Sequence, residues 1–341
     1  MKKIKAKYYL APAILSMVGV IAFAYYFTLT NFSAKSETQY LYVDSDDTVD
    51  SIIAKLTPMA SQHAITGLRT MIRHSNYENN PRTGRFAIEP GRNIFSTFRM
   101  LKNGQQSPIM LTLPESKTME QLAAQLSKKL MIDSTAIVTA LTNQESVKAL
   151  GYDTCTIACM MVPNTYEVYW NISIDALLKR LKKEHDAFWN YDRQHRAEVI
   201  GLSPNEVCTL ASIIDEETSN NAEKPMIAGM YLNRLAQDMP LQADPTVKFA
   251  LKNFGLRRIY HDMLRIDSPY NTYANTGLPP GPIKIASIKG IDAVLNRVQH
   301  DFLYMCAKED FSGTHNFART YSEHLQNAAR YAAALNQRGI K

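Results

Sequence analysis

The residue best suited to do chemistry is Glu217, near the end of a predicted apolar helix. In the segment Leu210–Thr218, helical spacing puts Glu217 on the same face as three apolar residues, Leu210, Ile213 and Ile214. A carboxyl held against apolar side chains loses hydration, so its pKa rises towards neutrality and it becomes able to donate a proton. The neighbouring Asp215 and Glu216 are expected to turn towards water. The alternative is that Glu217 is only the last polar residue of a core helix.

Three predicted helices position this carboxyl. Ser203, followed by a proline, is a favourable helix start and begins the helix that carries Glu217. A second helix is predicted from about residue 222 to 236. Asp244, directly before a proline, is well suited to cap a third helix, which is a structural role.

Two irregular segments follow these helices. Residues 268–273 and 277–282 combine proline, glycine, asparagine and tyrosine. Loops of this composition often line saccharide-binding clefts, but they are equally typical of surface turns. The remaining patterns predict a helix over 287–295, strands at 302–306 and 315–317, and a last helix over 321–335.

The chain between residue 39 and the central helix predicts a small α/β module followed by helices. Patterns of strand, helix, helix, strand, helix and strand succeed one another between residues 39 and 113. Such a module suits a binding platform and shows no catalytic residues of its own. Helical patterns then cover 117–150 and 174–191, and the lysines of the second pattern form a solvated face.

Length and charge exclude some functional classes. The 341 residues are enough for two domains or so, and 45% hydrophobic residues indicate a mostly globular chain. The formal net charge is +6, but four lysines among the first seven residues account for most of it. The remainder carries no basic patch of the size that nucleic acid requires, so no nucleic-acid partner is predicted.

The N-terminal region predicts a single membrane anchor. No charged residue occurs from Tyr8 to Phe32, and Leu10–Leu29 supplies about the twenty apolar positions that cross a bilayer as a helix. Lysines precede this stretch and none follows it directly, so the residues before it are expected in the cytoplasm and those beyond 33 outside. A cleaved signal peptide is the competing interpretation. The length of the run and the bulky residues Tyr25–Phe27 at its end favour a retained anchor.

The cysteines and histidines do not form a metal-ligand pattern. Of the four cysteines, Cys155 and Cys159 could form a disulfide only if they lie in a loop. Cys208 and Cys306 have the surroundings of small core residues. No His and Cys grouping has metal-ligand spacing and there is no HExxH motif, so neither a metal nor an organic cofactor is predicted.

Seven short motifs, taken together, resemble the YceG-like endolytic murein transglycosylases. They occur in that family's order, and the resemblance spans about residues 40–335, including an N-terminal module similar to LysM. The motifs are Ala211–Thr218, Leu232–Leu235, Met239–Val247, Ser268–Tyr273, Gly277–Ile283, Phe302–Tyr304 and His315–Phe317.

This resemblance implies a fold class and a domain order. The expected fold is α+β, with an N-terminal transmembrane helix, a small LysM-like α/β module and a mixed α+β catalytic domain. The expected divisions are a cytoplasmic N-terminus at 1–9, an anchor at 10–30, the LysM-like module at 39–115, a helical connecting region at 116–200 and the catalytic core at 201–341.

The resemblance also implies a reaction. Members of the family cut nascent peptidoglycan internally between N-acetylmuramic acid and N-acetylglucosamine without water, leaving 1,6-anhydromuramoyl ends. A single glutamate serves as acid and then as base, and Glu217 is the residue that matches it. The expected role is termination of glycan elongation at the outer face of the cytoplasmic membrane. Glycan strands are then the substrate, and cell-wall synthases are candidate partners.

Five further residues are expected to contact the glycan through hydroxyl, amide, carboxylate or aromatic groups: Ser212, Gln242, Asp244, Asn271 and Tyr273. For Asp244, helix capping is an equal alternative. The sequence departs from the family pattern at two places. Asp215 stands where relatives carry glutamate, and the loop at 158–166 lacks a glutamate and a glycine.

Two other functions remain open at this point. A muramidase would hydrolyse the same bond with Asp244 or Asp215 as a second carboxylate. A peptidoglycan-binding scaffold of the cell-wall machinery would use the LysM-like module and have an inert C-terminal domain. The expected position of Glu217 argues against the scaffold.

Overall fold

The computed structural model describes residues 2–256 and 258–338 of the chain. Met1, in the predicted cytoplasmic segment 1–9, and residues 339–341, at the end of the predicted core 201–341, lie outside the described residues. The chain forms two compact units, one from the residues up to 110 together with 167–172, and one from 111–166 and 173 onwards. The fold is mixed α+β, as predicted, and it is mostly helical with small two-stranded sheets.

The first helix of the first unit is long and apolar. Helix α1 covers Lys2–Thr28, and its stretch Leu10–Thr28 is the one segment of the described chain long and apolar enough to cross a membrane. Its end packs on the following module, where Phe27 is buried and the Tyr26 hydroxyl donates a hydrogen bond to the carbonyl of His63 over 2.7 Å.

The module of the first unit has the predicted order of elements. Two strands, β1 (Gln39–Val43) and β2 (Gly84–Ile88), pair antiparallel with Leu41 opposite Phe86, and three helices pack on them around a buried apolar core. Each helix begins at a side-chain cap, and the third ends at Gly104, which adopts a φ of +64°. The elements are β1 Gln39–Val43, α2 Val49–Leu56, α3 Gln62–Arg73, β2 Gly84–Ile88 and α4 Ile94–Asn103.

Two short strands and three helices follow. Strand β3 (Ile109–Thr112) pairs with β4 (Thr165–Val168). The predicted helical region 117–150 is confirmed and consists of α5 Met119–Leu126, α6 Ser134–Thr142 and α7 Gln144–Ala149.

The second unit is built around helix α10, Pro204–Glu217. As predicted, Ser203 caps it, and a reciprocal bond from the Ser203 amide to Glu206 completes a capping box. Every residue from Val207 to Ile214 is buried, because helices pack on several sides of α10. The other elements are α8 Ile174–Phe188, α9 Tyr191–Val199, α11 Lys224–Ala236, α12 Asp244–Ala250, α13 Ile288–Leu295, β5 Tyr304–Ala307, β6 His315–Ala318 and α14 Tyr321–Gln337.

Most predicted boundaries in the second unit are confirmed to within a turn. The helix predicted over 174–191 instead ends at Phe188, because Asn190 is extended and caps the separate helix α9. The predicted strand partners are confirmed: β5 and β6 pair antiparallel, with Cys306 opposite Asn316. The four cysteines are free thiols, so Cys155 and Cys159 are not bonded to each other. The division predicted at residue 200 stays a prediction.

Candidate active site

A cavity of about 310 Å³ opens in the second unit at the end of α10. Its walls come from α11, the start of α12, the loop that ends at Tyr273, the hairpin of β5 and β6, and α14. The residues that line it are Glu217, Met230, Tyr231, Arg234, Leu241, Gln242, Asp244, Tyr273, Met305, Cys306, Ala307, His315 and His324. Cys306, predicted to be a core residue, is therefore part of a cavity wall and only half-buried.

Glu217 is a carboxyl of the cavity wall with a raised pKa. The hydroxyl of Tyr231 donates a hydrogen bond to Glu217 Oε1 over 2.8 Å. Removal from water raises the pKa of Glu217 to about 7, and the charge of Asp244 contributes in the same direction. The Tyr231 hydrogen bond and the electrostatic effects of His315 and Lys248 act in the opposite direction and lower the pKa of Glu217. Near neutral pH the carboxyl is therefore protonated in a large fraction of molecules.

The prediction that Asp215 turns towards water is wrong. Its side chain is only 2% exposed and accepts hydrogen bonds from Lys224 Nζ over 2.6 Å and from the Ser287 amide over 2.7 Å. Asp215 lies on the side of α10 opposite Glu217. Because α13 covers that side, Asp215 is buried as well. A Cβ atom on Gly290 of α13 would lie 2.6 Å from the Asp215 carboxylate, which shows how closely α13 approaches.

Glu216 is partly exposed, in the direction of the prediction that it turns towards water. Its side chain is 22% exposed and pairs with Lys117 over 2.6 Å and with Lys284 over 3.6 Å. It does not line the cavity that contains Glu217.

Three of the five predicted substrate-contacting residues line the cavity: Gln242, Asp244 and Tyr273. The capping role considered for Asp244 is wrong, because Ala243 occupies the cap position and makes no side-chain bond. The Asp244 carboxylate instead accepts a hydrogen bond from the Tyr273 hydroxyl over 2.6 Å. Gln242 has a φ of +52°, an uncommon conformation for a residue other than glycine.

The other two predicted residues, Ser212 and Asn271, have structural contacts instead. Ser212 is fully buried, and its hydroxyl donates to the Thr209 carbonyl and accepts from the Ile283 amide. Asn271 is also fully buried; its amide group donates to two loop carbonyls and accepts from the Tyr273 amide. Neither residue lines the cavity, and their predicted substrate contact stays a prediction. Asn271 fixes the loop that presents Tyr273.

Four polar residues of the cavity were not predicted from the sequence as site residues: Tyr231, Arg234, His315 and His324. Tyr231 lies within the helix predicted over 222–236, to which no site role was given. Arg234 is 7% exposed, and its guanidinium donates to the backbone carbonyls of Leu303 and Leu241 over 2.6 and 2.8 Å. Arg234 lies within the Leu232–Leu235 motif, and this position could have indicated a role in the site.

His315 is held by a carboxylate from a different element. The carboxylate of Glu223 accepts hydrogen bonds from the backbone amide of His315 over 2.6 Å and contacts its Nδ1 over 3.0 Å. This pairing fixes the orientation of the imidazole at the cavity wall. The strand motif His315–Phe317 was noted in the sequence, but its distant partner Glu223 carried no signal there.

The arrangement can therefore transfer a proton and bind a polar ligand. It offers one carboxyl close to neutrality, a hydrogen-bonded pair of Asp244 and Tyr273, and the donors of Arg234 and His315. Among the residues that the structure describes, no group of three or more His, Cys, Asp or Glu side chains is placed to hold a metal ion.

Comparison with known proteins gives consistent matches. The model of the YceG-like family matches residues 41–330. An endolytic murein transglycosylase of Bacillus subtilis is 29% identical over 273 residues, which cover 75% of this chain and 74% of that protein. An endolytic murein transglycosylase of Streptococcus pneumoniae is 30% identical over 176 residues, 50% of this chain and 31% of that longer protein. The crystal structure of a yceG-like protein from Listeria monocytogenes superimposes with a TM-score of 0.57 and 24% identity, covering 86% of this chain and 99% of that one.

Proposed function

The chain belongs to the YceG-like family, and from this premise we propose that it is an endolytic lytic transglycosylase of peptidoglycan. Its substrate is the nascent glycan strand, cut internally between N-acetylmuramic acid and N-acetylglucosamine. The observation that carries the proposal is the Glu217 carboxyl in the cavity wall, whose pKa is raised to about 7. An acid of this kind is half protonated at neutral pH and suited to give up and take back a proton.

In the proposed reaction Glu217 acts first as acid and then as base. Its carboxyl proton goes to the glycosidic oxygen as the bond from C1 of the muramic residue to that oxygen breaks, and the bonding electrons stay with the oxygen. The C6 hydroxyl of the same muramic residue then bonds to C1, and its proton passes to the Glu217 carboxylate. The carboxyl is regenerated and the new end is a 1,6-anhydro ring. Tyr231 holds Oε1 in position throughout.

Asp244, Tyr273 and Gln242 are proposed to bind the sugars beside the acid. The carboxylate of Asp244 and the Tyr273 hydroxyl can exchange hydrogen bonds with sugar hydroxyls, and the Tyr273 ring can pack on a pyranose face. Gln242 supplies an amide for N-acetyl groups, and its side-chain oxygen lies 3.4 Å from the Arg234 guanidinium.

The muramidase alternative now depends on Asp244 alone. Asp215 is paired with Lys224 and is not among the residues that line the cavity. It is therefore not placed to activate a water molecule there. Asp244 does line the cavity with Glu217, which is the arrangement that a two-carboxylate hydrolase needs. Only the products distinguish these two reactions.

Digestion of glycan strands with the full chain is expected to release fragments that end in 1,6-anhydromuramic acid. Ring closure through the sugar's own hydroxyl excludes water, so these fragments are about 18 mass units lighter than hydrolytic products. Mass spectrometry of the digest measures this difference. Fragments with only reducing ends would assign the chain as a muramidase, and Asp244→Asn would then be expected to abolish hydrolysis.

The proposed cellular role is to end glycan elongation at the outer face of the cytoplasmic membrane. Helix α1 serves as a retained anchor in this proposal, and the module at 39–115 serves as a LysM-like peptidoglycan-binding platform. Cell-wall synthases are the proposed partners. A purely non-catalytic scaffold would have no use for a carboxyl with a pKa near 7 in a cavity.

A reporter fused to the C-terminus is expected to be active only outside the cytoplasm. Lysines precede the apolar stretch of α1 and none follows it directly, which orients a single span with its N-terminus inside. Alkaline phosphatase, which needs an oxidising compartment, and green fluorescent protein, which reports the cytoplasm, make a matched pair of reporters. Fluorescence without phosphatase activity would contradict this topology. Release of the phosphatase fusion as a soluble, shortened chain would indicate a signal peptide.

A further inference from the structure

A second cavity lies in the same unit as Glu217 and is not used by the proposed reaction. It encloses about 540 Å³, a volume typical of ligand sites, and Phe249, Phe254 and Tyr270 provide an aromatic wall. The Phe249 ring is close to both of the others, with centroid distances of 4.7 Å to Tyr270 and 6.3 Å to Phe254.

The end of α10 connects the two cavities. Glu217 lines the first cavity, and the next residue towards the N-terminus, Glu216, pairs with Lys117 and Lys284, both of which line the second. The two lysines are thereby held in place by the helix that carries the proposed acid.

Helix α12 and the loop before Tyr273 also contribute to both cavities. In α12, Asp244 lines the first cavity and Phe249 the second, five residues apart and so about 7.5 Å along the helix axis. In the loop, Tyr273 lines the first and Tyr270 the second. The cavities therefore lie on neighbouring sides of the same two segments.

The second cavity combines apolar and charged groups of both signs. Besides the aromatic wall it presents the exposed side chains of Lys252 and Glu120. A ligand that matches this surface carries small apolar groups for the rings, a carboxylate for Lys252 and an ammonium for Glu120. A short peptide with alanine residues, a free carboxylate and a side-chain amine has all three, even when its N-terminus is blocked by an amide bond.

We infer that the second cavity binds the stem peptide that peptidoglycan carries on the lactyl group of muramic acid, an inference that rests on the proposed function. A sugar bound next to Glu217 would project its peptide past α12. Four extended residues span roughly 13 Å, which exceeds the separation of Asp244 and Phe249 along the helix. The cavity thereby makes cleavage selective for strands that still carry peptides.

The first test compares two strand types on the full chain in detergent. One set of glycan strands keeps its peptides and the other is stripped by an amidase. Phe254→Ala and Lys252→Gln are expected to raise KM roughly fivefold or more on peptide-bearing strands, with kcat unchanged and with no effect on stripped strands. Lys183→Gln, an exposed lysine of α8, is the matched control and should change neither. Equal effects on both strand types, or none on either, would overturn the inference.

The second test does not depend on cleavage. The synthetic tetrapeptide L-alanyl-γ-D-glutamyl-L-lysyl-D-alanine is titrated into the full chain, and binding is followed by NMR. Saturable binding is expected that Phe254→Ala weakens roughly fivefold or more while Lys183→Gln does not. If the wild-type chain cuts neither strand type, the proposed function fails, and the titration still decides whether the cavity takes a peptide. Cleavage of strands without any binding of the tetrapeptide would refute the inference alone.

Discussion

Replacing Glu217 with glutamine is expected to lower the rate of glycan cleavage at least roughly a hundredfold, the usual cost of losing general acid–base catalysis. Glutamine keeps the size of the side chain and can still accept the hydrogen bond from the Tyr231 hydroxyl, which lies 2.8 Å from Oε1. It has no carboxyl proton to give to the leaving oxygen. The measurement is the initial rate of strand shortening by the full chain.

Glu216→Gln is the matched control for this variant. Glu216 is the same residue type one position earlier, is 22% exposed and does not line the first cavity. It should retain most of the activity at saturating strand concentration, where a change in peptide binding at the second cavity does not limit the rate. Asp215→Asn is unsuitable as a control, because the Asp215 side chain is buried in an ion pair. Near-wild-type cleavage by Glu217→Gln would show that the acid has been assigned to the wrong carboxyl.

Glu217→Gln should also be more stable than the wild type above neutral pH. The folded pKa of Glu217 is about 7 and its ordinary value is 4.5, so between these pH values the folded chain binds a proton that the unfolded chain has lost. Wild-type stability therefore falls as pH rises from 4.5 to 7, by at most about 3 kcal/mol. Below pH 4.5 the Glu217 carboxyl is protonated in both the folded and the unfolded chain, so its ionisation does not lower the stability.

Thermal melting of both proteins across this window measures the effect. The melting temperature of Glu217→Gln should match that of the wild type near pH 4.5, exceed it increasingly up to pH 7, and keep a constant excess above. The rate of wild-type cleavage should decline as the pH rises above about 7, because the fraction of protonated Glu217 then falls. A constant difference in melting temperature at all pH values would show that the pKa of Glu217 is not raised.

Local signals in the sequence predicted most of the fold because each one acts within a few residues. The cap at Ser203 and the strand and helix patterns between residues 39 and 113 were predicted without help from distant residues. Glu217 was found in the same way, from the face of one helix. The cap assigned to Asp244 failed because its carboxylate is taken by Tyr273, 29 residues further along the chain.

The parts that were missed all depend on contacts between distant segments. One helical face can be predicted from spacing, but the sequence does not state that α13 covers the opposite face of α10 and buries Asp215. The pairing of His315 with Glu223 joins residues 92 positions apart. Polar residues such as Ser212 and Asn271 look alike in sequence whether they hold a loop or a ligand, and only their partners decide which.

The ion pair between Lys224 and Asp215 is the contact whose loss is expected to cost the most stability. Both side chains are almost fully buried, with 7% and 2% exposed, and Asp215 also accepts two hydrogen bonds from Ser287, which caps α13. Lys224→Met leaves a buried carboxylate without its counter-charge, and breaking such a pair costs about 3–5 kcal/mol. The free energy of unfolding of the full chain in urea measures this loss.

Two further variants separate the burial of charge from other causes. Lys182→Met removes a partner from the ion pair with Asp186 on α8, whose side chains are 33% and 55% exposed, and should cost less than about 1 kcal/mol. Lys224→Met combined with Asp215→Asn removes both charges and should recover part of the stability that Lys224→Met loses, because no buried charge is left unpaired. If Lys224→Met is no less stable than Lys182→Met, Asp215 does not need its partner. The buried side of α10 would then be held by the Ser287 hydrogen bonds and apolar packing alone.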